Sequence, residues 1–262
     1  MHLGFDAFKG EFMKLRELLK EIFYPKNLTC SVCKRESFSS DWLCDGCKSI
    51  MPYNNKSVCG HCGRATPYAV EYCDYCKDKQ TYVDLARSVY EYENPVNVLV
   101  QRLKYGGEKY LAEDFAKEMQ ALYFKSIGYA DCIVFVPMTG KRKKERGYNQ
   151  SEELAKALSK LVELPIVGDV LVKTKDTDSQ VGLERKERLR NVKGSISVRN
   201  RALIKNKRVM IIDDVMTTGA TLEVIAEKLK DAGASEVVAI TVASVTSKKW
   251  RKENVEDVKK DE

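Results

Sequence analysis

The stretch Val209-Met210-Ile211-Ile212-Asp213-Asp214-Val215-Met216-Thr217-Thr218-Gly219-Ala220-Thr221 decides the fold. Residues 209–212 are apolar and read as a buried strand. Two adjacent carboxylates then emerge at its C-terminal edge, where open α/β sheets bind ligands. The loop behind them is built from small and hydroxyl residues and leads into a helix expected over residues 219–231, closed by Gly233. A loop of this kind offers backbone N–H groups, a helix N-terminus and threonine hydroxyls to one phosphate. The paired acids would face sugar hydroxyls, which are good donors to carboxylates.

Working outward, strands and helices alternate from about residue 81. Residues 86–92 read as a strand, and Asn94-Pro95 opens a helix that Gly106-Gly107 closes. A second helical stretch covers 108–125. A short strand at 132–136 stops at Pro137, and Asn149 caps a helix over 150–161. Further strands are expected at 166–172 and 237–242. Short apolar runs alternating with helices predict an α/β domain with a mainly parallel sheet covered on both faces.

The residues before 81 have a different texture. Eight of the nine cysteines form four Cys-x-x-Cys pairs: Cys30/Cys33, Cys44/Cys47, Cys59/Cys62 and Cys73/Cys76. Two thiolates on one tight turn supply two corners of a tetrahedron, and a second turn supplies the others. A disulfide framework competes, but no signal-peptide core precedes the pairs, and a reducing compartment disfavours it. The expectation is structural Zn²⁺, one or two ions. Spacing alone leaves open which pairs share a metal. His61 is not required as a ligand, and Cys132 reads as a buried thiol. Residues 28–80 carry a net charge of only +1, a poor basis for a stand-alone nucleic-acid binder. Trp42, Tyr53, Tyr68, Tyr72 and Tyr75 are read first as a miniature core between the metal turns.

An amphipathic helix is expected over 3–23, ended by Pro25, and a charged tail over 248–262. The domain organisation is therefore a helix at 1–27, a Cys-rich zinc-binding module at 28–80, an α/β domain at 81–247 and the tail. The chain of 262 residues is 32% charged, with a formal net charge of +7, which favours anionic partners. No apolar run approaches the roughly 18 residues a spanning helix needs. Secretion and membrane insertion are excluded as first readings, and a cytoplasmic location is expected. The positive charge concentrates in the α/β domain: five basic residues fall in 141–146, seven in 173–193 and five in 199–208. These runs are expected to surround the phosphate site.

The 209–221 segment resembles the ribose-phosphate motif of type I phosphoribosyltransferases nearly residue for residue. The resemblance implies that Asp213 and Asp214 contact the ribose hydroxyls of phosphoribosyl pyrophosphate (PRPP). It also implies that Val215, Met216, Thr217, Thr218, Gly219, Ala220 and Thr221 complete the PRPP site, 217–221 holding the 5′-phosphate, with Mg²⁺ bridging the pyrophosphate. The whole arrangement resembles the ComF family of competence-associated proteins, in which a Cys-rich zinc module precedes a phosphoribosyltransferase domain. The pairs of cysteines, Arg146-Gly147-Tyr148-Asn149-Gln150, the segment Gln180 to Asn191 and the 209–221 motif carry that likeness. In the segment after Pro137, where this chain has Met138-Thr139-Gly140, the family it resembles commonly shows a histidine.

Three functions follow as expectations. As a ComF-like protein, the chain would bind PRPP or another phosphorylated ligand and handle single-stranded DNA in the cytoplasm during DNA uptake and natural transformation. As an enzyme, it would transfer phosphoribose from PRPP to a base or amine in nucleotide metabolism. As an interaction module, its zinc part would dock on an uptake helicase or channel protein. For turnover, Asp213, Asp214, Lys141, Arg142 and Arg146 are the candidate catalytic residues, with Arg185 in a loop around 174–188 that would exclude water.

Overall fold

The computed structural model describes residues 29–37, 41–55, 57–77, 80–175 and 194–246. The expected helix at 3–23, the tail at 248–262, and the stretch with Gln180, Arg185 and Asn191 lie outside the described residues. The chain divides into two compact units, Met1–Ile50 and Met51–Glu262.

In the first unit, Thr29 and Glu36 form an antiparallel bridge around a turn in which Lys34 takes a left-handed backbone (φ 62°). A short helix, α1 (Asp45–Ser49), follows Cys44. Trp42 and Leu43 are fully buried beside the cysteines. Such a small unit has little other apolar area to remove from water, and a large ring supplies it.

The second unit contains a parallel sheet formed by β1 (Leu85–Glu91), β2 (Cys132–Phe135), β5 (Arg208–Met216) and β6 (Glu236–Ser244), in the spatial order β1-β6-β5-β2. Nearly every residue of β5 and β6 is buried, as strands covered on both faces require. The helices that cover them bury stripes at helical spacing. In α2 (Val96–Tyr105) the stripe is Val96, Leu99, Val100 and Leu103. In α3 (Leu111–Leu122) it includes Leu111, Phe115 and Met119. A π-helical turn, Tyr123–Ile127, prolongs α3 and ends at Gly128. Next come α4 (Gly140–Arg146) and α5 (Gln150–Val162), whose caps are the side chains of Thr139 and Asn149. The last helix among the described residues, α6 (Ala220–Asp231), joins β5 to β6.

Two expectations change. The run 166–172 is not one strand: Ile166 bridges Ile133, Gly168–Val170 is a 3₁₀ turn, and β3 (Leu171–Lys173) pairs antiparallel with β4 (Ile196–Val198). Gly168 and Asp169 break the apolar run because neither favours a strand. More importantly, β5 does not stop at Ile212. Its ladder with β6 continues through Asp213↔Thr241 to Met216↔Ser244, so both acids lie inside the strand.

The second set of cysteines belongs to the same compact unit as the sheet. The edge of β1 is covered by backbone bonds from this segment: Ala86 N–H to His61 O, Asn54 N–H to Val89 O, and Glu91 N–H to Pro52 O, at 2.8–2.9 Å. An exposed strand edge is a liability, and the ribbon removes it. Gly63 makes this approach possible. It has φ 67°, and a Cβ there would sit 2.5 Å from the Ala86 carbonyl oxygen.

Candidate functional site

Asp213 and Asp214 are both buried. Asp213 Oδ1 accepts hydrogen bonds from the Ser151 hydroxyl and from the Asp214 N–H, each at 2.9 Å. Ser151 is available because Asn149 caps α5 and turns the helix start toward β5. The Asn149 side chain accepts from the Ser151 N–H at 3.1 Å and donates to the Val136 carbonyl at 2.9 Å. Asp214 Oδ1 accepts from the Val215 N–H at 2.8 Å, while its Oδ2 lies 2.6 Å from Lys104 Nζ. Burial works against the charge of Lys104, but the charge and hydrogen bond of Asp214 outweigh it, so its ammonium is held above its ordinary range. Burial pushes the Asp213 carboxyl up to about 7 and the charge of Asp214 adds to the rise, against the pull of Ser151, the Asp214 N–H and Lys104. The pair therefore holds two buried acids in unequal settings, one ion-paired and one near neutrality.

Beyond Met216 the chain turns through 217–219, where Gly219 takes the left-handed conformation (φ 79°) as the N-cap of α6. Thr218 Oγ1 accepts from the Ala220 N–H at 3.3 Å. Thr217 is exposed, and Val215, Thr218, Gly219 and Thr221 are half-buried. A twelve-residue helix with a turn of this kind at its start suits an anion. Two buried carboxylates, a lysine paired with one of them and the start of a helix thus stand at one sheet edge.

The predicted basic residues divide. α4 follows the C-terminal end of β2, on the same edge of the sheet as the end of β5. Lys141 and Lys144 are exposed there, and Arg142 is half-buried. Lys143 is ion-paired to Glu152 at 2.7 Å. Arg146 is built into the structure: its guanidinium lies 4.6 Å from the Tyr105 ring and donates to Gln150. Tyr148 is buried and donates to the Leu103 carbonyl, and Gly147 supplies the left-handed C-cap of α4. The 146–150 segment therefore fastens the end of α2, which carries Lys104, against the start of α5, which carries Ser151. The run at 199–208 does not surround the site. It leads into the N-terminal end of β5, where Arg208 pairs with Glu236 and stacks on Tyr129. Five residue steps along the strand, at about 3.3 Å each, separate Arg208 from Asp213.

Sequence reading missed Lys104 and Ser151. Lys104 carried a signal: it continues the apolar stripe Val96–Val100 at a spacing of four, a place where a lysine needs a buried partner. Ser151 had none beyond standing in the first turn of a capped helix.

The eight paired cysteines form two groups, Cys30/Cys33/Cys44/Cys47 and Cys59/Cys62/Cys73/Cys76, each with its sulfurs within 4.8 Å of one another. Consecutive pairs therefore share a site. Zn–S bonds of about 2.3 Å make a tetrahedron with edges of about 3.8 Å. The Sγ separations are 3.8 Å for Cys33–Cys44, 3.6 Å for Cys62–Cys73 and 3.9 Å for Cys73–Cys76. All are too long for disulfides, and the donor sets fit two structural zinc ions. His61 lies against the Tyr72 ring at 5.5 Å rather than in the group. Cys132 is fully buried, its thiol raised by that burial. Trp42 is core, whereas Tyr68 and Tyr72 are exposed. Among the described residues, no helix is long and apolar enough to cross a membrane.

Comparison with known proteins matches two domain families. Residues 19–77 match the double zinc ribbon domain and residues 148–262 the phosphoribosyl transferase domain. The second match begins after Lys104, which only the fold brings to Asp214. Competence protein F of Haemophilus influenzae is 30% identical over 224 residues, covering 80% of this chain and 94% of that protein. DNA utilization protein YhgH of Escherichia coli K12 is 27% identical over 214 residues, covering 79% and 93%. Competence protein ComFC of Bacillus subtilis is 27% identical over 207 residues, covering 75% and 81%. With a double zinc ribbon, a phosphoribosyltransferase-like parallel sheet and a likeness spanning nearly all of a curated relative, this chain belongs to the competence protein F (ComF) family.

Proposed function

We propose that this protein binds PRPP, with Mg²⁺ as counter-ion of its pyrophosphate, at the end of β5, and that it serves the handling of single-stranded DNA in the cytoplasm during DNA uptake. The observation that carries the ligand reading is the buried pair Asp213–Asp214 beside Lys104, followed at once by the left-handed Gly219 turn into α6. The carboxylates would accept from the ribose hydroxyls, and the 217–221 amides and hydroxyls would take the 5′-phosphate. Lys141 and Arg142 remain candidates for the pyrophosphate. Arg146 acts instead by holding Tyr105 and Gln150, and through them the end of α2. The DNA role draws on the relatives' names, which speak of competence and DNA utilization, and on the exposed Lys141 and Lys144. An uptake helicase or channel protein is the partner that role implies.

Transfer of phosphoribose to a base or amine is the second reading. Asp213, near neutrality, suits proton transfer from an acceptor at physiological pH. ³¹P NMR of the zinc-loaded protein with PRPP and Mg²⁺, alone and with nucleobases, amines or single-stranded DNA, tests both. Broadened PRPP lines that Asp213→Ala abolishes support the ligand site. Pyrophosphate appearing with one acceptor establishes transfer, and unchanged PRPP lines in the wild type refute the ligand reading. Salt-sensitive binding of single-stranded DNA, weakened when Lys141 and Lys144 are neutralised, tests the DNA role.

A further inference from the structure

Arg64 stands two residues after Cys62 in the second ribbon, is 2% exposed, and uses its guanidinium outside the ribbon. Its Nη1 donates to the Val245 carbonyl, directly after β6. The Val245 N–H in turn donates to the Met216 carbonyl at 3.0 Å, the last tie of the ladder before the 217–219 turn. The guanidinium lies 4.5 Å from the centre of the Tyr75 ring, and Tyr75 sits between Cys73 and Cys76. Its Nη2 lies 3.8 Å from where a Cβ on Gly219 would be, so it backs the one residue whose left-handed conformation opens the turn. Its Nε is buried with no hydrogen-bond partner. The crevice between ribbon and turn is lined by Cys62, Cys76, Arg64, Met216, Gly219 and Leu222. A second tie runs alongside: the Tyr82 N–H donates to the Glu223 carboxylate at 2.7 Å, on the first turn of α6.

A buried guanidinium in such a position is costly unless its geometry serves something. Here a chain of contacts runs from the metal ligands to the turn. Cys73 and Cys76 fix Tyr75, the Tyr75 face fixes Arg64, and Arg64 fixes Val245 and the underside of Gly219. A turn held in its binding conformation before the ligand arrives binds more tightly, because the ordering has already occurred.

We infer that Arg64 is a positioning residue that couples the metal site of Cys59, Cys62, Cys73 and Cys76 to the 217–219 turn, so that the state of this ribbon sets the affinity of the turn for a phosphate ester. The nature of the ester rests on the PRPP reading, but the coupling does not.

The test uses the full zinc-loaded chain with Arg64→Met, which removes the guanidinium but keeps an unbranched apolar side chain, and Arg64→Ala. Zinc content, melting temperature, amide hydrogen exchange and ³¹P spectra with PRPP and Mg²⁺ are measured on each. In Arg64→Met we expect wild-type zinc content, a melting temperature close to the wild type, and exchange about tenfold faster confined to 216–222. PRPP affinity should fall about tenfold, with the larger change at the 5′-phosphate resonance. Arg64→Ala should exceed both effects. Wild-type exchange at 216–222 in Arg64→Met overturns the coupling, and so does faster exchange spread evenly over β5, β6 and α6. If the wild type binds no PRPP, the ligand reading fails, and the exchange data still decide the coupling.

Discussion

The two cysteine groups share spacing and donor set, yet they do different things. The first closes on its own compact unit, with Trp42 and Leu43 as apolar filling. In the second, Cys59, Cys62 and Cys76 are part of the same core as Val83, Ala86, Leu222 and Ile225, and the surrounding segment bonds along the edge of β1. The same donor set thus belongs to a small compact unit of its own in one case and to the core of the α/β unit in the other. What differs is the surroundings: Gly63 lets the second turn approach the β1 backbone, and Arg64 reaches past it.

The largest expected effect breaks this comparison directly. Cys30→Ser and Cys59→Ser should each lower the zinc content by one ion per chain. Only Cys59→Ser should also destabilise the α/β unit, by several kcal/mol out of the roughly 10–16 kcal/mol that structural zinc contributes in finger peptides. It should also weaken PRPP binding. Equal effects of the two variants on the melting of the sheet would erase the distinction.

Next comes the buried ion pair. Lys104→Ala leaves Asp214 uncompensated and should cost about 3–5 kcal/mol in denaturant unfolding. The double variant Lys104→Met, Asp214→Leu should recover most of it while still failing to bind PRPP. A cost below about 1 kcal/mol would mean the pair is solvated.

A smaller effect depends on pH. The folded Asp213 carboxyl titrates near 7, above its ordinary 3.8, so between these values the folded state holds a proton that the unfolded state has lost. Stability should therefore fall as pH rises from about 4 to 7, and Asp213→Asn should flatten that slope. Thermal melting at unit pH steps reads this, and a wild-type slope in Asp213→Asn contradicts it. Mildest of all, Tyr148→Phe removes one hydrogen bond to the Leu103 carbonyl and should cost about 1 kcal/mol without altering zinc content.

Much of this was legible in order along the chain. The β5–α6 segment, the Asn149 cap and the four Cys-x-x-Cys pairs are local patterns, and local patterns survive folding because their physics is local: a strand period, a cap, a chelating turn. Other features were misread for an equally physical reason. Asp213 and Asp214 seemed to end a strand because carboxylates usually leave one. Ser151 and Lys104, 62 and 110 residues distant, satisfy them inside it. The basic run at 199–208 seemed close to the site in sequence, but β5 carries it to the other end of the sheet.

By itself, then, the sequence determined the metal chemistry, the alternation of strands and helices, and the acid–acid–hydroxyl segment that leads from β5 into α6. Only the tertiary structure decided which cysteines share an ion, which lysine neutralises Asp214, and that Arg64 of a ribbon supports Gly219 of the turn. Those are pairings between residues far apart in the chain. They are set by how the core closes, and no short stretch of sequence contains them.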